Sequence, residues 1–387
     1  MAEVIVRVGV NLQAGQSLLI TDPYDLHGVH PESQALINAV RAAAPGETSV
    51  ILGDPAALRA MYEADDLAAF ERLVSSNIRQ MRKHLAAGGA FLFMPGSIPQ
   101  LLAGLPSERI SRFDAVKWKH LGPLIRILLT GATQWTLIPA PCQAWADITY
   151  SDLPEDQRLP ALWSTLARAL RIEPGERTPI DAPAAHGSVV DIWRLHLAKL
   201  TKRRDELNRM RHRRIRYVGP GTELTLELPR FHCWCTAQLV TRRGVSFVVN
   251  LPTEEIFTAP KRCSASGRVR VIRPVTHAGV VISGIELEFH RGRVRTASAA
   301  TNADLLHRVL STDDGADRVG EVAIIPRGGN LPWGKASLNH ALLDENAAPH
   351  IALGDSYRFC SRAWLPLAIN SSQIHIDLPL EAKAELF

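Results

Sequence analysis

Carboxylates and imidazoles are concentrated in the last third of this chain. Glu254 and Glu255 lie in an otherwise apolar, turn-forming stretch, and Glu321 begins an apolar run. The other members of the group are Glu345, His350, Tyr357, His375 and Asp377. Acids and histidines in apolar surroundings cost several kcal/mol each unless they are paired or bind a metal. No nearby basic residues are placed to pair with all of them, so the pattern predicts a metal site.

Charge balance favours two divalent cations at this site. Four acids carry four negative charges, which two divalent cations neutralise, and two neutral imidazoles complete the shell. The predicted ligands are Glu255, Glu321, Glu345, His350, His375 and Asp377. A shell of oxygen and imidazole without thiolate suits zinc, cobalt or manganese. One carboxylate has to reach both ions, and we expect Glu321 to be that bridge.

Residue spacing predicts the local structure around these side chains. His375 and Asp377 point to one side of a strand, because side chains alternate between the two faces. On a helix, Tyr357 lies two turns after His350 and shares its face. Glu345 and His350 are five residues apart, a spacing that does not align on one helical face. Glu345 is therefore predicted at the turn that enters the helix.

Alternation along a strand also separates the two neighbouring glutamates of the group. Because successive side chains point to opposite faces, Glu254 faces away from Glu255. Only one of the two can then point into a shared metal site. We expect Glu255 to be the ligand and Glu254 to have a structural role, with binding of a substrate ammonium group as the alternative for Glu254.

The first half of the chain alternates between two kinds of pattern. Amphipathic helical stretches begin near Pro31 and run from Asp54 toward Leu85. Between them lie short apolar runs, predicted as strands, at residues 17–21, 49–52, 90–94 and 134–138. Alternation of strands and helices predicts a parallel sheet covered by helices.

The second half of the chain has a different residue pattern. A basic helix is predicted over residues 191–214, and a helix over 303–311 interrupts a series of short β segments. These segments are predicted at residues 222–228, 244–250, 267–272, 280–289 and 293–297. The fold class is therefore α/β, with an N-terminal α/β domain (1–190) for which the family resemblance described below implies the dimer contacts and a wall of the cleft. A linking helix (191–215) and a mixed, β-rich catalytic domain (216–387) follow.

The composition is that of a folded globular protein. Of the 387 residues, 46% are hydrophobic and 21% are charged, which excludes disorder and collagen. A formal net charge of +5 permits a basic face without predicting nucleic acid. No signal peptide and no run of about 20 apolar residues that would span a membrane are expected. Five cysteines without a disulfide pattern predict the reducing cytoplasm.

Three further motifs give weaker evidence of function. The basic segment 202–214 is interpreted as a solvated helix face, because its apolar residues recur at helical spacing. Residues 329–336 resemble a phosphate-binding loop, but Ala336 replaces the Ser or Thr that holds magnesium and Pro332 removes a backbone N–H. Ser371 and Ser372 lie beside His375 along one strand, whereas the members of a serine triad converge in space. Nucleotide, nucleic-acid and serine chemistry are therefore not predicted.

Four segments of the chain resemble the aminopeptidase T / aminopeptidase S family of dimetal peptidases. They are Asn-Leu-Pro-Thr-Glu-Glu-Ile-Phe-Thr-Ala-Pro (250–260), Gly-Glu-Val-Ala (320–323), Leu-Asp-Glu-Asn-Ala-Ala-Pro-His-Ile-Ala-Leu-Gly (343–354) and Ile-His-Ile-Asp (374–377). The resemblance implies that the same six residues are the metal ligands and that Tyr357 is the active-site tyrosine. It also implies an α/β N-terminal domain, a C-terminal catalytic domain and a homodimer that encloses the active sites.

The resulting hypothesis is hydrolysis of the N-terminal bond of a peptide or aminoacyl amide. Paired cations, with Glu321 between them, activate a water molecule, and Tyr357 donates a hydrogen bond to the developing oxyanion. One alternative is a mononuclear iron oxygenase, since His350, His375 and Asp377 have the composition of a facial triad. Another is a homologue that binds peptides without cleaving them, because the segment after Asp377 is shorter than in the family.

Overall fold

A computed structural model describes residues 1–96, 98–172, 188–326, 330–331, 337–362 and 368–387. Its helices are α1 (Ala2–Val4), α2 (Gln34–Ala43), α3 (Pro55–Glu63), α4 (Leu67–Ala86), α5 (Ser107–Leu129), α6 (Gln143–Thr149), α7 (Glu155–Ala169), α8 (Val189–Met210), α9 (Ala303–Leu310) and α10 (Ala341–Glu345). A π-helical turn spans Ile5–Gly9, and 3-10 turns span Pro31–Ser33 and Arg358–Cys360.

The strands of the first half are short and few, and those of the second half are numerous. They are β1 (Leu18–Thr21), β2 (Thr48–Val50), β3 (Ala90–Phe93), β4 (Trp135–Leu137), β5 (Arg214–Gly219), β6 (Thr222–Glu227), β7 (Gln238–Val240), β8 (Ser246–Val248), β9 (Ile256–Thr258), β10 (Ser266–Arg270), β11 (Val275–His277), β12 (Val280–Ile282), β13 (Glu286–His290), β14 (Arg293–Ser298), β15 (Val319–Ile324), β16 (His350–Gly354), β17 (His375–Pro379) and β18 (Lys383–Leu386).

The chain divides into two compact units. The first comprises Met1–Leu197 and Ala237–Thr253, and the second comprises Ala198–Thr236 and Glu254–Phe387. The inserted segment joins the first unit because its backbone hydrogen-bonds β4: the Leu137 amide donates to the Val249 carbonyl at 2.8 Å. The domain bounds 1–190, 191–215 and 216–387 stay predictions beside this division.

The first unit is built on a four-stranded sheet of order β2-β1-β3-β4, in which every neighbouring pair is parallel. All four predicted strands are present, each within two residues of its expected bounds. Every residue of β1 and β3 is buried, as expected for central strands of a parallel sheet that helices cover on both faces. The predicted α/β architecture is confirmed.

The helical stretch predicted from Asp54 toward Leu85 is two helices, not one. Asp65 adopts a left-handed conformation (φ 56°), which ends the helical path after α3. The Asp66 carboxylate then accepts a hydrogen bond from the Ala69 amide at 2.8 Å and caps α4. Asp54 caps α3 in the same way, through the Ala57 amide.

The described residues of the second unit form two larger antiparallel sheets and the two-stranded antiparallel sheet β11-β12. The six-stranded sheet has the order β14-β13-β10-β6-β5-β18, and the four-stranded sheet has the order β17-β16-β15-β9. We call the four-stranded one the site sheet. Its two central strands are almost entirely buried. The predicted β-rich architecture of the C-terminal half is confirmed.

Two boundaries in the second half differ from the prediction. The basic helix ends at Met210, because Arg211 is left-handed (φ 52°), and Arg214 begins β5. The segment 280–289 forms two strands separated by Gly284 (φ 63°). The loop resembling a phosphate-binding motif falls on residues 329–336, of which only 330 and 331 are described. Among the described helices, none has the length and apolar character that a bilayer span requires.

Candidate metal centre

The site sheet places four predicted ligands on one face. Glu321 on β15 lies opposite Ala352 on β16, and Ala352 lies opposite Asp377 on β17. Residues that face each other on antiparallel strands point to the same side, as do residues two apart along a strand. His350, two residues before Ala352, and His375, two before Asp377, therefore share this face. The predicted strand over His375 and Asp377 is confirmed.

Small residues leave room above this face. Ala323, Ala352 and Gly354 occupy same-side positions between the ligand side chains. Gly354 has φ 100°, and a Cβ atom there would lie 2.1 Å from the carbonyl oxygen of Ile374. Only glycine fits that position, so no side chain at residue 354 fills the space between the predicted ligands.

The remaining two predicted ligands come from outside the strands. Glu255 lies directly before β9, and Glu345 is the last residue of the short helix α10. The expectation that Glu345 enters a helix that carries His350 and Tyr357 is wrong. His350 instead begins β16, because the apolar run after it pairs with β15 and β17, and Tyr357 lies in the turn beyond that strand.

The imidazoles and carboxylates converge in two groups. His350 Nε2 lies 3.3 Å from Glu255 Oε2, 3.6 Å from Glu321 Oε1 and 3.8 Å from Asp377 Oδ1. His375 Nε2 lies 3.4 Å from Asp377 Oδ1 and 3.8 Å from Glu321 Oε2. In each group, Glu255–Glu321–His350 and Glu321–His375–Asp377, the ligand atoms lie within 4.8 Å of one another. Glu321 belongs to both groups.

Backbone carbonyls orient both imidazoles. The Nδ1 atom of His350 lies 3.2 Å from the Ala348 carbonyl, and that of His375 lies 2.9 Å from the Asp355 carbonyl. With the proton on Nδ1, the lone pair on Nε2 points at the carboxylates. This arrangement of a histidine between a backbone carbonyl and a cation is general for metal-binding imidazoles.

Two buried polar atoms of the cluster lack a hydrogen bond. Neither Glu321 Oε2 nor His350 Nε2 has a hydrogen-bond partner among the described residues, although both are inaccessible to solvent. Buried polar groups normally find a partner, and a divalent cation supplies one for both atoms. The residues present therefore fit a metal centre.

The sequence profile of the thermophilic metalloprotease family (M29) matches residues 1–385. This chain belongs to that family. It is 31% identical to aminopeptidase T of Thermus thermophilus over 385 residues, covering 97% of this chain and 90% of the relative. It is 28% identical to aminopeptidase AmpS of Bacillus subtilis, covering 99% and 92% of the two chains.

A solved structure carries the same fold. The structure of wild-type AmpT from Thermus thermophilus superimposes with a TM-score of 0.85 at 29% identity, covering 100% of this chain and 94% of that one. The resemblance of the four sequence segments to the aminopeptidase T / aminopeptidase S family is thereby confirmed.

The electrostatics of this M29 cluster favour cations. Burial raises the pKa of Glu321 to about 7, and burial together with Asp377 and Glu255 raises the pKa of Glu345 well above its usual range. Burial would lower the pKa of His375, but Asp377 and Glu321 outweigh it and raise that pKa to about 10. A site that attracts protons so strongly attracts divalent cations for the same reason.

Tyr357 lies beside the cluster. Its ring centroid is 5.1 Å from that of His375 and 5.3 Å from that of Phe359, with which it stacks. Burial, followed by the charges of four acids of the cluster, raises the pKa of Tyr357 well above its usual range. Its hydroxyl therefore stays protonated and keeps a hydrogen to donate.

Three supporting residues were not predicted from the sequence. The buried Tyr217 hydroxyl donates to the carbonyls of Ala323 (2.9 Å) and His350 (3.3 Å). The fully buried Arg273 pairs with Asp344 at 2.9 Å, directly before Glu345. Their supporting role is evident from their burial. Burial is seen in the folded chain and could not be read from the sequence.

Asn346 is the third supporting residue, and it connects two neighbouring parts of the site. Its Oδ1 atom accepts the Glu254 amide at 2.7 Å, and its Nδ2 atom donates to Glu345 Oε1 at 3.3 Å. The Asp-Glu-Asn motif was visible in the sequence, but its third residue was not assigned a role. Asn346 fixes the segment of Glu254 and Glu255 against the end of α10.

A cavity of about 90 Å³ adjoins the cluster. Its lining includes the predicted ligands Glu345, His375 and Asp377 and the apolar residues Val275 and Ala341. The lining therefore combines acidic, imidazole and apolar side chains.

Proposed function

We propose that this chain is a metal-dependent aminopeptidase that removes the N-terminal residue of peptides. The M29 metalloprotease family and the aminopeptidases T and AmpS among its relatives support this activity. The observation that carries the proposal is that Glu321 belongs to two acid–histidine groups on one face of the site sheet. A carboxylate shared by two groups is the arrangement that a pair of divalent cations requires.

The chain's own groups divide between two cation positions. Glu255, Glu321 and His350 would hold one cation, and Glu321, His375 and Asp377 would hold the other. Glu345 lies close enough to Asp377 for the charge of Asp377 to help raise its pKa, and it completes the six-residue set. When bound, the cations supply Lewis-acid activation of a water molecule and polarise the peptide carbonyl. Oxygen and imidazole ligands without thiolate favour zinc, cobalt or manganese.

Three features of the site would bind and orient the peptide. Acidic side chains of the cavity lining, Glu345 and Asp377 among them, would attract the α-ammonium group of the substrate, and the apolar lining residues Val275 and Ala341 would accommodate its first side chain. The Tyr357 hydroxyl, held beside His375, donates a hydrogen bond to the oxygen that becomes negative as the carbonyl is attacked. One such donor contributes roughly 2.7–4 kcal/mol in comparable sites.

We propose a homodimer in the cytoplasm. Large apolar side chains of the first unit are exposed, among them Leu52 (55% exposed) and Val240 (60% exposed), and a partner subunit would cover such side chains. All five cysteines are free, which supports a reducing compartment.

The two alternatives from the sequence are not favoured. A mononuclear iron oxygenase would need one triad of His350, His375 and Asp377, and it leaves the buried acids Glu255 and Glu345 without a purpose. A peptide-binding homologue without activity would not need the complete ligand set, which lies on and around one sheet face. The named relatives are aminopeptidases.

Substitution of Glu321 tests the proposal. Glu321→Gln keeps the size of the side chain and removes the shared negative charge. We expect hydrolysis of leucine p-nitroanilide to be lost and the metal content, measured by elemental analysis, to fall from about two ions per chain. The matched control is Glu288→Gln, an exposed position on β13, which should change neither. Full activity in Glu321→Gln would exclude the site.

A further inference from the structure

A groove of about 970 Å³ in the second unit has six cationic side chains in its lining. It lies along the second half of α8, the segment after that helix, and residues 230–233. Its basic side chains are those of Lys202, Arg209, Arg211, Arg213, Arg230 and Arg362. None of them belongs to the metal centre, and the proposed peptidase activity does not use them.

Most of this positive charge is not neutralised by neighbouring acidic side chains. Asp205, the acid in the lining, already pairs with Arg204 at 2.7 Å. Glu227 lies near Arg213. For the other five cations, no acidic side chain of the described residues comes within 4.0 Å. Like charges gathered on one surface repel one another, so a fold that keeps them together benefits from a bound anion.

Hydrogen bonds hold the walls of the groove in place. The Asn208 side chain bonds the Trp234 backbone twice, at 2.9 and 2.8 Å, which fixes α8 against the segment 230–234. The Arg362 amide donates to the Phe231 carbonyl at 2.9 Å, and the Cys233 amide donates to the Cys360 carbonyl at 2.8 Å. The groove is therefore formed before any ligand arrives, which reduces the entropy that binding costs.

The density of charge indicates what kind of anion fits. An extended acidic peptide presents a carboxylate to one side only every second residue, about 7 Å apart. Phosphoryl groups joined by bridging oxygens place their charges closer together, and guanidinium groups match phosphate oxygens in pairs. Phe231 is 55% exposed and has the Arg230 guanidinium over its ring, 5.5 Å from the centroid, so a base can stack on its other face.

We propose that this groove binds a compact polyphosphate, either inorganic polyphosphate or the triphosphate of a nucleotide. The experiment is calorimetric titration of the full-length holoenzyme with tripolyphosphate and with ATP, each saturated with Mg²⁺ so that neither removes metal from the protein. We expect one equivalent to bind and the affinity to fall as the salt concentration rises.

Charge reversal locates the binding site. Arg209→Glu combined with Arg230→Glu should weaken binding at least tenfold, and the milder Arg209→Gln with Arg230→Gln should weaken it in the same direction. The matched control is Arg295→Glu, an exposed arginine on β14 of the same unit, which should bind as the wild type does. Glu321→Gln should also bind normally, because the groove does not contain the metal centre.

The two sources of phosphate are separated by Phe231. If ATP binds more tightly than tripolyphosphate and Phe231→Ala removes the difference, the ligand is a nucleotide; equal affinities indicate inorganic polyphosphate. The proposal is overturned if neither probe binds below millimolar concentration, if the glutamate variants bind unchanged, or if only a polyglutamate peptide or a single-stranded oligonucleotide binds.

Discussion

Ala352 lies directly opposite Glu321 in the antiparallel ladder of the site sheet. Its methyl group occupies the position between Glu321 and Asp377, which faces it from the other side. The two carboxylates are two strands apart, and each reaches over this methyl group toward the imidazoles. The size of the side chain at position 352 therefore controls the space for cations.

Enlarging this side chain should displace the metals. Ala352→Leu places three additional carbon atoms among the ligands, so we expect loss of bound metal and of peptidase activity. Overpacking of this kind costs about 1–3 kcal/mol of folding free energy. Metal content by elemental analysis and the melting temperature check the prediction. Ala297→Leu, on the exposed edge strand β14, is the control and should retain metal. Normal metal content in Ala352→Leu would contradict this account.

Tyr357 should contribute to the rate and not to metal binding. Tyr357→Phe keeps the stacking on Phe359 and the contact with His375 but removes the hydroxyl that we propose as the donor to the oxyanion. We expect kcat to fall by about 10²–10³, the usual effect of losing one such donor, with KM and metal content unchanged. Steady-state kinetics with leucine p-nitroanilide measure this. A kcat within threefold of the wild type would show that the hydroxyl does not act on the transition state.

Tyr217 should support the metal centre from behind the sheet. Its hydroxyl donates to the carbonyls of Ala323 and His350, so Tyr217→Phe removes hydrogen bonds that hold the strand of a ligand. We expect a loss of about 1 kcal/mol in the free energy of unfolding and a weaker affinity for zinc in a competition titration.

A second tyrosine provides the comparison for Tyr217. The Tyr150 hydroxyl contacts the Thr165 hydroxyl at 2.6 Å in the first unit. Tyr150→Phe should cost similar stability and leave the zinc affinity unchanged. If both variants bind zinc as the wild type does, the role of Tyr217 is one of general stability.

His27 should make the stability of the protein depend on pH. Burial, together with the positive charge of Lys117, lowers the pKa of His27 to about 3, with Asp114 opposing. Between about pH 6.5 and pH 3 the unfolded chain binds a proton at this position and the folded chain does not. Stability is therefore fully present above pH 6.5 and falls as the pH decreases, by up to about 1.4 kcal/mol per pH unit.

The variant His27→Asn isolates this contribution. His27 has a left-handed backbone (φ 54°), which asparagine tolerates well, and asparagine does not titrate in this range. Urea unfolding at pH 6.5 and pH 4.5 should show a smaller decrease for the variant than for the wild type. Equal decreases would mean that His27 is not a source of the pH dependence.

Much of this protein was predictable because local patterns report local structure. Apolar runs such as 90–94 predicted the strands of the parallel sheet, and alternation placed His375 and Asp377 on one side of β17. The six acids and histidines proposed as ligands were selected by residue type, because groups that are costly to bury need a partner. The helix that residue spacing predicted for Glu345, His350 and Tyr357 was wrong, because a turn and a strand take its place. Pairing of this strand with β15 outweighs any helical preference.

What the sequence alone determined was which residue types were available and which strands and helices would carry them. The tertiary structure decided which atoms meet: Glu321 with both histidines, Ala352 as the small residue between two carboxylates, and Tyr217 and Arg273 as buried support. These contacts join residues from Tyr217 to Asp377, and a pairing between distant residues depends on strand order and register. Strand order and register are set by the burial of the whole sheet, a property that no short window of sequence contains.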